Sequence, residues 1–146
     1  MSKKSNYVST NRSKHYLKCH LIFVCKYRKE MLIGQVNDDA KRILNSIASN
    51  SDFEIEVMET DKDHVHFIIR YIHRLSIAQI VRRLKQESTR QLWQLHSGIL
   101  RKQYWYQHLF WSDGYFACSI GSASLPKISS NILRSTGVSS LPVSDL

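Results

Sequence analysis

The sequence predicts an α+β domain in the ferredoxin-like order β-α-β-β-α-β, with a four-stranded antiparallel sheet carrying two helices on one face. Three observations predict it. Two stretches repeat apolar residues at helical spacing. Four shorter stretches are β-rich and either alternating or wholly apolar, as strands are. The chain has 146 residues, 42% of them hydrophobic, which suits one domain with a substantial core.

The elements follow in order. Residues 16–25 (YLKCHLIFVC) become fully apolar, as a central strand would, and Lys26-Tyr27-Arg28-Lys29 closes them with charge. From 36 to 49, Val36, Ala40, Ile43, Leu44, Ile47 and Ala48 fall on one helical face. Asn37, Asp38 and Asp39 suit the positive end of that helix. Residues 53–58 (FEIEVM) alternate like a half-buried strand, and 64–70 form the next strand. A second helix is expected over 75–93. Leu75, Ile77, Ile80, Val81, Leu84 and Leu92 make its buried stripe, and Arg82, Arg83, Lys85, Gln86 and Arg90 its basic face. Residues 95–112 read as an irregular aromatic loop, and 115–120 as the last strand. This organisation gives a loose basic arm over 1–13, one domain over 14–124, and a tail of different texture over 125–146.

Composition narrows the partners. Lys and Arg total 21 against 12 Asp and Glu, a net charge of +9. Such a balance favours a polyanion, usually nucleic acid, over the plainer alternative of a solvated basic surface. Cys19, Cys25 and Cys118 are odd in number and form no Cys-x-x-Cys pair, which argues against a disulfide framework or a zinc knuckle. No stretch is as long as a membrane span and no apolar signal region follows the N-terminus, so no membrane partner and a cytoplasmic location are expected.

The sharpest motif is His64-Val65-His66. On a strand, residues i and i+2 share a face, so both imidazoles can reach one metal ion. Read as one regular strand, Val65, Phe67 and Ile69 face the helices, while His64, His66, Ile68 and Arg70 face the other way. Asp61 and Asp63 then share the parity of Val65 and face away from the imidazoles. On spacing alone, a metal-free histidine pair competes with a ligand pair and is slightly favoured.

Three separated motifs change that weighting: Lys26-Tyr27-Arg28, Asp61-Lys62-Asp63-His64-Val65-His66, and Trp111-Ser112-Asp113-Gly114-Tyr115-Phe116. Their sequence, order and overall length resemble the small single-tyrosine HUH transposases of insertion sequences, over about residues 14–124. The resemblance implies enzymes that bind imperfect DNA hairpins and cut and rejoin single-stranded DNA. It implies Mg²⁺ or Mn²⁺ held by His64 and His66 with a polar residue from a helix after the last strand. It implies a tyrosine on that helix that forms a covalent 5′-phosphotyrosine, and it implies a homodimer. His20, in the strand that should neighbour the histidine strand, is a candidate to orient a ligand. A buried, hydrogen-bonded histidine is an equal alternative. Lys26, Arg28, Arg82, Arg83, Lys85 and Arg90 are the candidate DNA contacts.

The chain departs from the family pattern after Gly121-Ser122-Ala123-Ser124. Aligned on Gly121, Asn131 fills the tyrosine slot and Ser135 the later ligand slot. An amide has no ionisable hydroxyl and cannot be the nucleophile. Synonymous codons exist that would restore a tyrosine across the Asn131 and Ile132 codons in a shifted frame, so a frameshift near Ser124 is one origin for the tail. Tyr27, Tyr104, Tyr106 and Tyr115 are expected to pack or to contact DNA rather than substitute. The leading reading is a DNA transposase by family, with its nucleophile missing. The alternative is a cleavage-inactive relative that still grips hairpin DNA. A water-using metal nuclease ranks last, for want of an acidic cluster.

Overall fold

Eight consecutive residues, Leu17–Val24, form the first strand, β1, and all from Cys19 onward are buried. A strand buried on both faces must lie inside a sheet, and β1 does. A computed structural model describes residues 16–120. In it, β1 is followed by helix α1 (Gly34–Ser49), strands β2 (Phe53–Asp61) and β3 (His64–Tyr71), helix α2 (Ile77–Tyr104) and strand β4 (Phe116–Ser119). The sheet order is β2-β3-β1-β4, with every neighbouring pair antiparallel. This is the predicted ferredoxin-like α+β arrangement. The arm over 1–13 and the tail over 125–146 lie outside the described residues.

The helices cover one face. Val36, Ala40, Ile43, Leu44, Ile47 and Ala48 of α1 are all buried, as their spacing requires. Ile80, Val81, Leu84 and Leu92 of α2 join them over Leu21, Phe23, Val65, Phe67 and Ile69 of the sheet. Phe23 meets Phe67 edge-on at a centroid separation of 5.0 Å and Trp111 at 5.5 Å. Each such fully buried side chain contributes about 1.5–3 kcal/mol relative to exposure. Ser76 starts α2 with a capping box: its hydroxyl accepts from the Gln79 amide, and the Gln79 side chain accepts from the Ser76 amide.

Helix α2 runs eleven residues past the predicted end at 93, to Tyr104. The periodic stripe continues at a spacing of four: Leu92, His96, Leu100 and Tyr104, with the last two fully buried. The helix bends at His96 (φ −130°, ψ 35°), where the ring Nε2 meets Asp39 Oδ2 of α1 at 2.7 Å. Polar and aromatic residues interleaved with that stripe masked it in the sequence. Tyr104, read as a loop residue, instead donates from within the core to the Lys26 carbonyl at 3.1 Å.

Candidate functional site

The register places the imidazoles. His66 pairs with Ile22 of β1 and Glu59 of β2, and His64 with Val24 and Asp61. Directly paired residues share a sheet face. The face opposite the helices therefore carries His64, His66, Glu59 and Asp61 together with His20. The two rings lie 6.4 Å apart and nearly parallel, with side chains 29% (His64) and 17% (His66) exposed.

The expectation that Asp61 faces away is corrected. The segment is two strands rather than one: Lys62, at φ +54°, turns the chain and resets the alternation between Asp61 and His64. Asp63 at that turn does something sequence parity could not reveal. Its Oδ1 lies 2.9 Å from His64 Nδ1, and its Oδ2 lies 3.5 Å from Arg28 Nε. A proton on Nδ1, shared with the carboxylate, leaves the His64 Nε2 lone pair free to ligate. Arg28 is thereby joined to His64 through Asp63. Only the adjacency of Asp63 to His64 was visible in the sequence. The approach of Arg28 depends on the strained turn after β1, where Tyr27 and Arg28 both take positive φ (62° and 54°).

Glu59 Oε1 lies 3.4 Å from His66 Nε2. Burial holds the His66 pKa below its ordinary value; Glu59 opposes that shift and His64 adds to it. A lowered pKa keeps the ring neutral, the form that binds metal. His20 is buried, its ring is 5.5 Å from that of His66, and neither of its nitrogens has a hydrogen-bond partner among the described residues. Burial, with His66 beside it, pushes its pKa down to about 4. The structure thus brings His20 beside His66, with no hydrogen bond to its ring among the described residues. Among the described residues, no group of three or more His, Cys, Asp or Glu is arranged to hold a metal ion. Asn131 and Ser135 lie outside the described residues.

The predicted cationic residues separate into three groups. Lys26 and Arg28 sit at the β1 exit beside the imidazole face, with Lys26 Nζ 3.4 Å from Asp113. Arg82, Arg83 and Arg90 are exposed on α2, in the helical layer across the sheet from the histidines. Arg83 is also tied to Glu87 at 3.0 Å and to the Asn50 carbonyl at 3.2 Å. Lys85, read as part of the basic face, turns inward. Its ammonium donates to the carbonyls of Ser112 (2.6 Å), Asp113 (3.2 Å) and Gly114 (2.7 Å) and lies over the Phe23 ring. It holds the loop before β4 against the core. A cavity of about 620 Å³ opens between α2 and that loop, lined by Arg90, Trp93, Gln94, His108 and Trp111 among others.

A ferredoxin-like sheet with an imidazole pair on the face opposite its helices, closed at one strand exit by a Lys-Tyr-Arg turn, defines a class of small α+β proteins. A family profile described as transposase IS200 like matches residues 13–134, and the chain belongs to that family. The ISDra2 transposase TnpA of Deinococcus radiodurans is 31% identical over 114 residues, spanning 78% of this chain and 80% of the relative. The transposase for insertion sequence element IS200 of Salmonella typhimurium is 26% identical over 104 residues, spanning 71% and 67%. The crystal structure of a putative transposase from Deinococcus radiodurans R1 superposes with a TM-score of 0.69 at 27% identity, covering 92% of this chain and 97% of that one. A REP-associated tyrosine transposase bound to a REP hairpin shares the fold, with a TM-score of 0.59 at 13% identity over 88% and 68% of the two chains. Among the described residues no helix is long and apolar enough to cross a membrane.

Proposed function

We propose that this chain is an insertion-sequence transposase domain that binds hairpin single-stranded DNA and a divalent cation, Mg²⁺ or Mn²⁺, but lacks the nucleophile for strand cleavage. The observation that carries the reading is the imidazole pair on the sheet face opposite the helices, in a member of the IS200-like family. The two imidazoles fit a divalent cation as a partial ligand set, and the Glu59 carboxylate lies 3.4 Å from His66 Nε2. His64 and His66 would hold the ion, with Asp63 fixing the His64 tautomer and His20 packed beside the His66 ring. When bound, such a cation polarises a phosphate oxygen and stabilises the charge that builds there. Lys26 and Arg28 are placed to receive DNA phosphates at the same end of β1. The basic residues of α2 serve DNA from the other side of the sheet, and a homodimer supplies the second copy of each surface.

The missing nucleophile rests on the sequence. The chain has seven tyrosines, Tyr115 the last of them, and none lies between β4 and Leu146. Tyr71 and Tyr104 are buried, and burial raises both hydroxyl pKa values. The Tyr16 ring stacks on the Arg70 guanidinium at the far end of β1. In family chemistry one phosphodiester is exchanged for a phosphotyrosine, so without a tyrosine in the slot after β4 the exchange lacks its family nucleophile.

A labelled hairpin with single-stranded flanks, incubated with the protein and Mn²⁺, tests this on native and denaturing gels. The expected result is a shifted complex on the native gel, with uncut DNA and no covalent band on the denaturing gel. A covalent protein–DNA band would show that a tyrosine of this chain cleaves. Cut ends without a covalent band would indicate hydrolysis. No shifted complex would remove the DNA-binding reading.

A further inference from the structure

The end of α2 carries a feature that the imidazole face does not use. Trp105 and Tyr106 follow the helix directly and are 67% and 82% exposed. Trp105 takes φ +57° and ψ −128°, a conformation that costs a non-glycine residue free energy. Ordinary packing does not explain the strain, because the ring it displays is not packed. The Arg101 guanidinium lies 5.9 Å from the Tyr106 ring centroid. From Ser88 to Ser112 the chain has no acidic residue, yet it carries Arg90, Arg101, Lys102 and all three tryptophans. Next in line, His108 stacks on Trp93 at 4.4 Å and 12° and lines the cavity that also holds Arg90.

Aromatic faces and adjacent cations on a stretch without carboxylates, with Asp113 only at the cavity's edge, suit one kind of partner. Unpaired bases stack on such rings whatever their sequence, and their phosphates meet the cations. We infer that Trp105 and Tyr106, with Arg101, form a stacking platform for unpaired DNA flanking the hairpin, continued by His108 towards the cavity. This deepens the DNA-binding reading and rests on it. It assigns the flanking strand to a surface apart from the imidazole pair.

The test compares a blunt hairpin with hairpins bearing a tail of about ten thymidines on the 5′ or the 3′ side, a length within the span of known single-strand sites. For the wild-type protein, at least one tail should tighten binding about tenfold. The double variant W105A/Y106A should bind the blunt hairpin as wild type does and lose the gain from the tail. W105F/Y106F, which keeps the rings, should retain it. Trp105→Gly adds a second readout, since glycine accepts positive φ without strain. It should weaken tail binding while leaving the Tm unchanged or higher, as a residue kept for contact rather than packing would. The inference is overturned if neither tail tightens wild-type binding, or if W105A/Y106A keeps the gain. It is also overturned if W105G lowers the Tm by several degrees and keeps the gain. If the blunt hairpin fails to bind wild type, the underlying reading fails instead, and binding of the thymidine tail alone still reports on the platform.

Discussion

The two faces of the sheet are built from the same strands and behave as different materials. On one, Leu21, Phe23, Val65, Phe67 and Ile69 are sealed under α1 and α2. On the other, one residue out of phase along the same strands, stand His20, His64 and His66, with Glu59 and Asp61 paired across from the imidazoles. The first face supplies stability; the second supplies donors and charge. A strand's period of two lets a single short segment such as His64–Tyr71 serve both, because Val65 and Phe67 anchor the backbone that aims His64 and His66. The imidazoles stand on a core strand rather than on a loop.

The comparison can be broken in several ways. Phe67→Ala should destabilise the fold by about 3–5 kcal/mol, measured by urea denaturation, because it opens a cavity against Phe23. Acid probes the other face. The folded pKa of His20, about 4, lies below the ordinary 6.5, so the unfolded chain takes up the proton first as pH falls. The stability at issue is fully present above pH 6.5 and is lost progressively by about pH 4, amounting to at most about 3 kcal/mol. The difference between wild type and His20→Leu across that range isolates it, and parallel pH profiles would contradict it. Asp63→Ala should weaken Mn²⁺ affinity about 10- to 100-fold by freeing the His64 tautomer, read by calorimetry with the fold intact by circular dichroism. Smallest of all, His64→Ala should change stability by no more than about 1 kcal/mol, since His64 stands outside the buried hydrophobic core cluster. A loss as large as that of Phe67→Ala would erase the distinction between the faces.

Much of this was legible in the sequence for a physical reason. Helix α1 announced all six of its buried residues because their spacing of three and four is purely local. The outward parity of His64 and His66 followed from alternation in the same way. Features set by distant partners were hidden. Lys85 read as surface because nothing local shows the three carbonyls of residues 112–114 that receive it. The face of Asp61 was misread because a turn at Lys62 resets the alternation, and the Arg28–Asp63–His64 chain joins residues far apart in sequence. The continuation of α2 to Tyr104 was masked because His96 interrupts the helical dihedrals and owes its place to Asp39 of the other helix.

The account depends most on the imidazole pair as a cation site. Titration of Mn²⁺ into the metal-free protein at neutral pH, read by calorimetry beside the double variant H64A/H66A, tests it directly. The predicted result is saturable binding by the wild type that the variant loses while remaining folded. Equal binding by both proteins, or none by either, would contradict it.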